Sequence, residues 1–322
     1  MAHLRRLAAG TARAVLGVWM VLTLAFLALE LLPGQPTRGA LDPKHGRAAQ
    51  REQRRLLGLD RPLTVRYASW LTGVARGDWG RSWSDGRPVR AQLAAQIRPT
   101  LELAAAALAI QCALALPLAA MAVHRPRGPL DLSIRTGATL LYAAPGFWLG
   151  LLALRLLGLR LGWFPVAGLE SLQPAAGVLA RVTDRFHHLL LPALLLGSAS
   201  AAGLLRIARN QLLEISREPF VLAARARGLS EARLLGRHVL RRAAVPLVQL
   251  LGASLPWLFS ATLVTEVVFS RPGAGRLAFQ AFRARDQPVL LACTAVTALL
   301  AIFGRWLADL LHLKLDPRAG DA

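Results

Sequence analysis

Six stretches of this 322-residue chain stay apolar for long enough to cross about 30 Å of hydrocarbon, and nothing else constrains its fold as much. They run near residues 12–32, 100–123, 134–157, 188–205, 244–269 and 289–311. Core helices of soluble proteins rarely remain apolar for so long. The expected fold class is therefore an all-α integral membrane protein, one domain over 1–322 with six transmembrane helices. Pro192 interrupts the beginning of the fourth run and makes it the weakest of the six. The first run is too long for the apolar region of a cleavable leader. It leads into Glu30 and Leu32-Pro33-Gly34 rather than a small-x-small site, so it is expected to stay as an anchor.

A polar insert, 34–99, separates the first two runs. Its short helical patterns alternate with Gly-Asp and Asp-Gly turns, and Trp70, Trp79 and Trp83 supply either a small core or an interfacial belt. The insert is too short and polar for an independent enzyme domain. Long loops report poorly on orientation, so the insert is discounted in the charge rule. The densest remaining basic cluster, Arg206 to Arg242, lies between the fourth and fifth runs. That puts residues 206–243, both termini and the His124–Arg127 loop in the cytoplasm, and the insert outside.

The segment that begins Glu218-Pro219-Phe220 is Arg-rich and reads as two short helices. The first, 220–227, carries Ala223, Ala224 and Ala226 and ends at Gly228, which enters the left-handed region without a Cβ penalty. For the second, Ser230 offers an N-cap oxygen and Glu231 a charge matching the helix dipole. Pro246 marks where that helix must be re-organised as the chain re-enters the membrane. Arg233, Arg237 and Arg241 recur at i, i+4 and form a basic stripe suited equally to lipid phosphate or to a protein partner. A helix–Gly–helix elbow with small residues on its first arm is a surface for close docking by another protein. A plain solvated loop needs neither the Ala pair, nor Gly228, nor Ser230.

The spacing Ala-Ala-Arg-x-x-Gly, with Pro246 after a further 17 residues, resembles the cytoplasmic EAA loop of ABC importer permeases. The likeness continues in order along nearly the whole chain. GLDRPL at 58–63, ARGDWG at 75–80 and SDGRPV at 84–89 are similar to the external segment of the dipeptide/oligopeptide/nickel subfamily. So are TLELA at 100–104, PGFWLGL at 145–151, LGWFPVAG at 161–168, LLLPALLL at 189–196, VTEVVFSRPGAGRL at 264–277, ARDQPV at 284–289 and the terminal Asp316-Pro317-Arg318. The chain departs from the family pattern at Pro219-Phe220, at Arg271 and Ala274, where Trp and Leu are frequent, and at Gln35, where Asp is common.

The resemblance implies a permease subunit that forms half of a translocation channel for peptides or a related small cargo, such as a nickel complex or glutathione. A homologous second permease, two cytoplasmic ATPases and an external substrate-binding protein are implied with it. Phe220, Ala223, Ala224, Arg225, Arg227, Gly228, Ser230 and Pro246 then become the ATPase-coupling residues, with 219–227 a coupling helix whose small side chains let it seat deeply. Gly197, Ser198, Ser200 and Glu266 are candidates for the pathway or for helix packing.

Other chemistries find little support in the residues. A phosphate-cradling GxxxxGK[ST] loop needs Lys after Gly, and the only lysines, Lys44 and Lys314, follow Pro43 and Leu313, so no cofactor or nucleotide site of its own is expected. The formal charge of +21 is almost all Arg spread through every loop with few interleaved aromatics, which fits anionic lipid rather than nucleic acid. His187 and His188 are adjacent and face different ways, and no third ligand lies nearby, so no metal site is expected. Cys112 and Cys293 sit in different runs as packing residues. A charge at mid-span costs roughly 2.5–3.5 kcal/mol; Arg155 is expected to snorkel from the end of its run, and Arg305 and Asp309 to pair at i, i+4. A secondary transporter would need intramembrane ion ligands or related halves, and a membrane-embedded hydrolase would need HExxH, GxSxG or paired carboxylates; none is present in the sequence.

Overall fold

The structure, a computed structural model, describes residues 2–31, 55, 57–171 and 177–315. Leu32-Pro33-Gly34, Gln35, Lys44 and Asp316-Pro317-Arg318 lie outside the described residues. Among the described residues every regular element is helical, and one antiparallel bridge, Arg81 to Pro88, closes a turn of the insert. In chain order the helices are α1 (Ala2–Leu31), α2 (Leu63–Ala75), α3 (Val89–His124), α4 (Pro129–Ala143) and α5 (Gly146–Ala153), which runs into a π turn at Leu154–Arg160. Then come α6 (Val178–Ser216), α7 (Pro219–Ala226), α8 (Glu231–Arg233) with a π turn at Leu234–Val239, α9 (Leu240–Val268), α10 (Ala274–Ala284) and α11 (Gln287–Leu315).

Four of these helices, α3, α6, α9 and α11, are long and apolar enough to cross a membrane, and α4 with α5 makes a fifth if the bent pair is one span. The apolar part of α1, Val15–Leu31, is shorter. The chain is thus an all-α membrane protein. Two spans run well past their apolar stretches. α3 has 36 residues and α6 has 39, so at 1.5 Å per residue they reach roughly 54 and 58 Å and project beyond the hydrocarbon.

The prolines behave differently from the expectation at two places. Pro192 does not weaken the fourth span: it lies buried inside a continuous α6. The third run is broken instead. Ala144 takes φ −73° and ψ 132°, the extended region to which a residue before proline is pushed, and Pro145 starts α5 in a new direction 96° away. Arg155 is exposed in the π turn that follows.

α3 packs along α6 and α9 along α11, and α6 and α9 join the two pairs. The close approach of α3 and α6 depends on Gly197, where a Cβ would stand 2.7 Å from the Ala107 carbonyl oxygen and 2.8 Å from Ile110. Leu103, Ala104, Ala107, Ala193, Leu196 and Leu258 fill the centre of that contact.

The insert docks on the bundle rather than folding around its own core. Tyr67 and Trp70 of α2 stack on Phe26 of α1 with ring centroids 5.3 and 5.4 Å away, and Arg66 forks onto Glu30. Trp79 packs against Val89, Leu93, Val289 and Cys293. Asp286, buried before α11, accepts hydrogen bonds from the Ser82 and Ser84 hydroxyls at 2.5 and 2.9 Å and from the Ser84 amide at 3.0 Å.

Candidate functional site

The elbow is built on the end of α6. That helix closes with Arg217 N–H on the Glu214 carbonyl and Glu218 N–H on that of Ile215. Pro219 then occupies the first turn of α7, where its missing donor and preset φ cost nothing. Val221 and Ala224 point inward to join Ala208, Leu212 and Ile215 of α6, Ala119 and Val123 of α3, and Leu234, Val239, Ala243 and Leu247. The elbow therefore has a hydrophobic core of its own, continuous with three long helices.

Gly228 ends α7 as the sequence suggests. Its φ is +82°, its N–H reaches the Arg225 carbonyl at 2.9 Å, and the Leu229 N–H reaches that of Ala224 at 3.4 Å. These are the two bonds of a Schellman motif, and Leu229 completes it by packing on the elbow core. A bidentate ion pair braces the turn: Arg225 Nε lies 2.7 Å from Glu231 Oε1 and Nη2 3.1 Å from Oε2. That hydrogen bonding holds the Glu231 carboxyl below its ordinary value and the Arg225 guanidinium above its own.

Two expectations for the elbow need correction. Ser230 stands at the N-cap with φ −64° and ψ 146°, but its hydroxyl makes no capping bond; its carbonyl accepts from Leu234 N–H at 2.9 Å instead. Pro246 is not where the second arm is re-organised. It lies within a continuous α9, and the re-organisation is the π turn at Leu234–Val239. Of the basic stripe, Arg233 and Arg241 are both exposed on either side of that π turn, and the side chain of Arg237 lies outside the described residues.

Ala223 and Ala224, grouped together in the sequence, face opposite ways. Ala224 is 9% exposed and belongs to the core, whereas Ala223 faces out. With Val221 and Ala224 turned inward, the helical period aims Leu222, Ala223 and Ala226 away from the bundle, with Phe220 and Arg227 along one flank. Leu222 escaped the sequence reading, and Ala226 enters it only as a small residue, not among the coupling residues. Anchoring the period on the apolar pair at 221 and 224 is the signal that finds them.

A second feature lies beside the break in the third run. A largely apolar cavity of about 500 Å³ is lined by Leu141, Tyr142 and Pro145 from the bent pair, Leu195 and Ala199 from α6, and Trp257 with other residues of α9. None of Gly197, Ser198, Ser200 or Glu266 lines it. Gly197 serves the α3–α6 contact, and the hydroxyls of Ser198 and Ser200 bond to the Leu195 and Leu196 carbonyls of their own helix at 3.2 and 2.7 Å.

Glu266 neither reaches water nor faces the cavity. It is fully buried, accepts the Thr100 hydroxyl at 2.7 Å and the Arg276 N–H at 2.9 Å, and so caps α10 from a distance. Thr100 in turn accepts from Ala274 N–H at 2.8 Å. Arg271, also fully buried, stands 3.6 Å from Glu102, whose oxygens already receive Arg98 and Arg185. His187 contacts the Trp163 carbonyl and His188 that of Asp184, so the two histidines have separate partners. Among the described residues, no group of three or more His, Cys, Asp or Glu side chains converges on a point. Cys293 lies in the core beside Val289, Cys112 is half-buried, and the side chain of Asp309 lies outside the described residues.

Residues 115–320 match the family described as binding-protein-dependent transport system inner membrane component. Over 92% of this chain and 92% of its own length, the oligopeptide transport system permease protein AppB of Bacillus subtilis is 33% identical. A putative peptide permease of Brucella suis is 35% identical over 95% and 97%, and the glutathione transport system permease GsiC of Salmonella paratyphi A is 33% identical over 92% and 93%. In fold, the chain is similar to a subunit of the MetNI methionine ABC transporter in an inward-facing conformation, with TM-score 0.58 and 17% identity over 70% of this chain and 96% of that one. Elbow, long spans and full-length relatives converge: the chain belongs to the inner-membrane permease components of binding-protein-dependent ABC importers.

Proposed function

We propose that this permease couples ATP hydrolysis on separate cytoplasmic ATPases to inward passage of a peptide or a similarly small cargo, and that α7 is the element the ATPase grips. The observation that carries the reading is the construction of α7. Its inner face is locked by Val221 and Ala224, its end by the Gly228 turn, and its base by the Arg225–Glu231 fork. A short helix so held presents an apolar outer face, Leu222 with the small Ala223 and Ala226, as a rigid handle rather than a loop.

In this reading the chain crosses the membrane six times, with α1 and the α4–α5 pair as the two crossings of unusual shape. The elbow and both termini are cytoplasmic, and the insert, pinned by Asp286 and Glu30, is external. A second homologous permease completes the pathway against the exposed apolar side chains of α4 and α5, among them Tyr142, Phe147 and Trp148. Closure of two ATPases on ATP carries α7, α6 tilts with it, and cargo delivered by a binding protein at the insert is released inward. No bond is made or broken in the permease itself.

Peptide and glutathione permeases among the relatives motivate the choice of cargo. The test is uptake of trialanine or glutathione into proteoliposomes holding this chain, its second permease, its ATPases and its binding protein. Uptake is expected only with ATP and with both ATPases present. Uptake that persists without them refutes the reading.

A further inference from the structure

Between the elbow and the broken span lies one buried ion pair that bears on neither cargo nor nucleotide. Asp131 is fully buried in the first turn of α4 and Arg209 is 8% exposed on α6. Arg209 Nε and Nη2 each lie 2.6 Å from a different oxygen of Asp131, a fork-to-fork contact. Asp131 Oδ2 also accepts the Arg127 N–H at 2.9 Å, in a turn where Arg127 is left-handed at φ +64°. One carboxylate therefore fixes the α3–α4 turn and the start of α4 to a single point on α6.

That point is adjacent to the elbow core. Arg209 directly follows Ala208 and precedes Leu212 by one turn, and both neighbours pack against the elbow with Val221 and Ala224. From Asp131, α4 extends roughly 18 Å to Ala143 at 1.5 Å per residue, and there the chain bends beside the apolar cavity. Further along α4, its contact with α6 is mainly apolar, through Ile134 and Ala138 against Ala201, Leu204 and Leu205, with the Arg206 guanidinium 5.2 Å over the Tyr142 ring near the bend. Apolar faces can slide past one another. A covered bidentate pair resists sliding, because sliding would leave each charge without the partner that satisfies it.

We infer that Asp131 and Arg209 are positioning residues that transmit displacement of the elbow from α6 to α4, and so to the bend beside the cavity. The inference rests on the elbow being the gripped element. A pair kept only for stability could be replaced by well-packed neutral side chains of similar volume at little cost. A pair kept for transmission could not.

The experiment is hydrogen exchange on the assembled transporter in nanodiscs, with and without ATP and vanadate. In the wild type, exchange is expected to change over both 219–226 and 129–143. In Asp131→Asn/Arg209→Gln, which leaves no lone buried charge, the change over 219–226 should persist and that over 129–143 should be lost. Should that variant fail to assemble, Arg209→Lys, which keeps the charge but lacks the planar fork, reads the same difference. An α4 response equal to wild type in the variant overturns the inference, as does an α4 that is silent in the wild type. Silence at the elbow itself overturns the docking reading first, and this inference with it.

Discussion

Ala223 and Ala224 are neighbours in sequence with opposite duties, and a glutamate at each should separate packing from docking. At 224 the new side chain enters the cluster of Val221, Leu212, Ile215 and Leu234. Overpacking costs about 1–3 kcal/mol there, and burying a polar group without a partner adds about 1–3 kcal/mol. A midpoint near 4 kcal/mol raises the population of the opened elbow on the order of a thousandfold, at about 1.4 kcal/mol per decade. Trypsin reads this directly, because Arg225, Arg227 and Arg233 are cleavage sites within the elbow and cleavage tracks the open fraction when opening is fast. At 223 the glutamate points to water, and a surface change of that kind stays within about 0.5 kcal/mol. Ala223→Glu should therefore leave the trypsin rate within about threefold of wild type while abolishing ATPase co-purification. Ala224→Glu should lose both protection and co-purification. The reasoning fails if Ala223→Glu co-purifies normally, or if Ala224→Glu loses the ATPase with no gain in cleavage.

Thr100→Val removes a hydroxyl that donates to Glu266 and accepts from Ala274 N–H, leaving a buried amide and carboxylate underbonded; a loss of about 2–3 kcal/mol in thermal stability of the solubilised chain is expected. Gly197→Ala places a Cβ 2.7 Å from the Ala107 carbonyl oxygen, so α3 and α6 must part; about 1–3 kcal/mol of stability should go, against almost nothing for Ser198→Ala. Because Arg225 depresses the Glu231 carboxyl, the brace contributes fully above the ordinary glutamate range and is lost as pH falls through the depressed value. The pair is about half exposed, so its worth is under about 1 kcal/mol, and hydrogen exchange of the elbow amides, corrected for its intrinsic pH dependence, should rise slightly at acid pH in the wild type but not in Arg225→Ala.

The features legible from sequence are those set by local composition. Helices in hydrocarbon need long apolar runs, and the runs marked them; Gly228 announced its turn because only glycine enters that φ region freely. Proline misled in both directions, since whether a helix survives it depends on neighbours that make up the lost bond. Pro192 is buried inside α6, while Pro145 has an extended residue before it and breaks the third run.

Composition and spacing determined the membrane class and the elbow, and the resemblance of its motifs the membership that the relatives bear out. Only the tertiary structure decided which alanine of the elbow faces out and that Glu266 is buried and caps a helix. It alone joined Asp131 to Arg209 across 78 positions. The reason is range: propensity and periodicity act within a turn or two of a residue, whereas burial and charge pairing are set by segments that meet only once the bundle has closed.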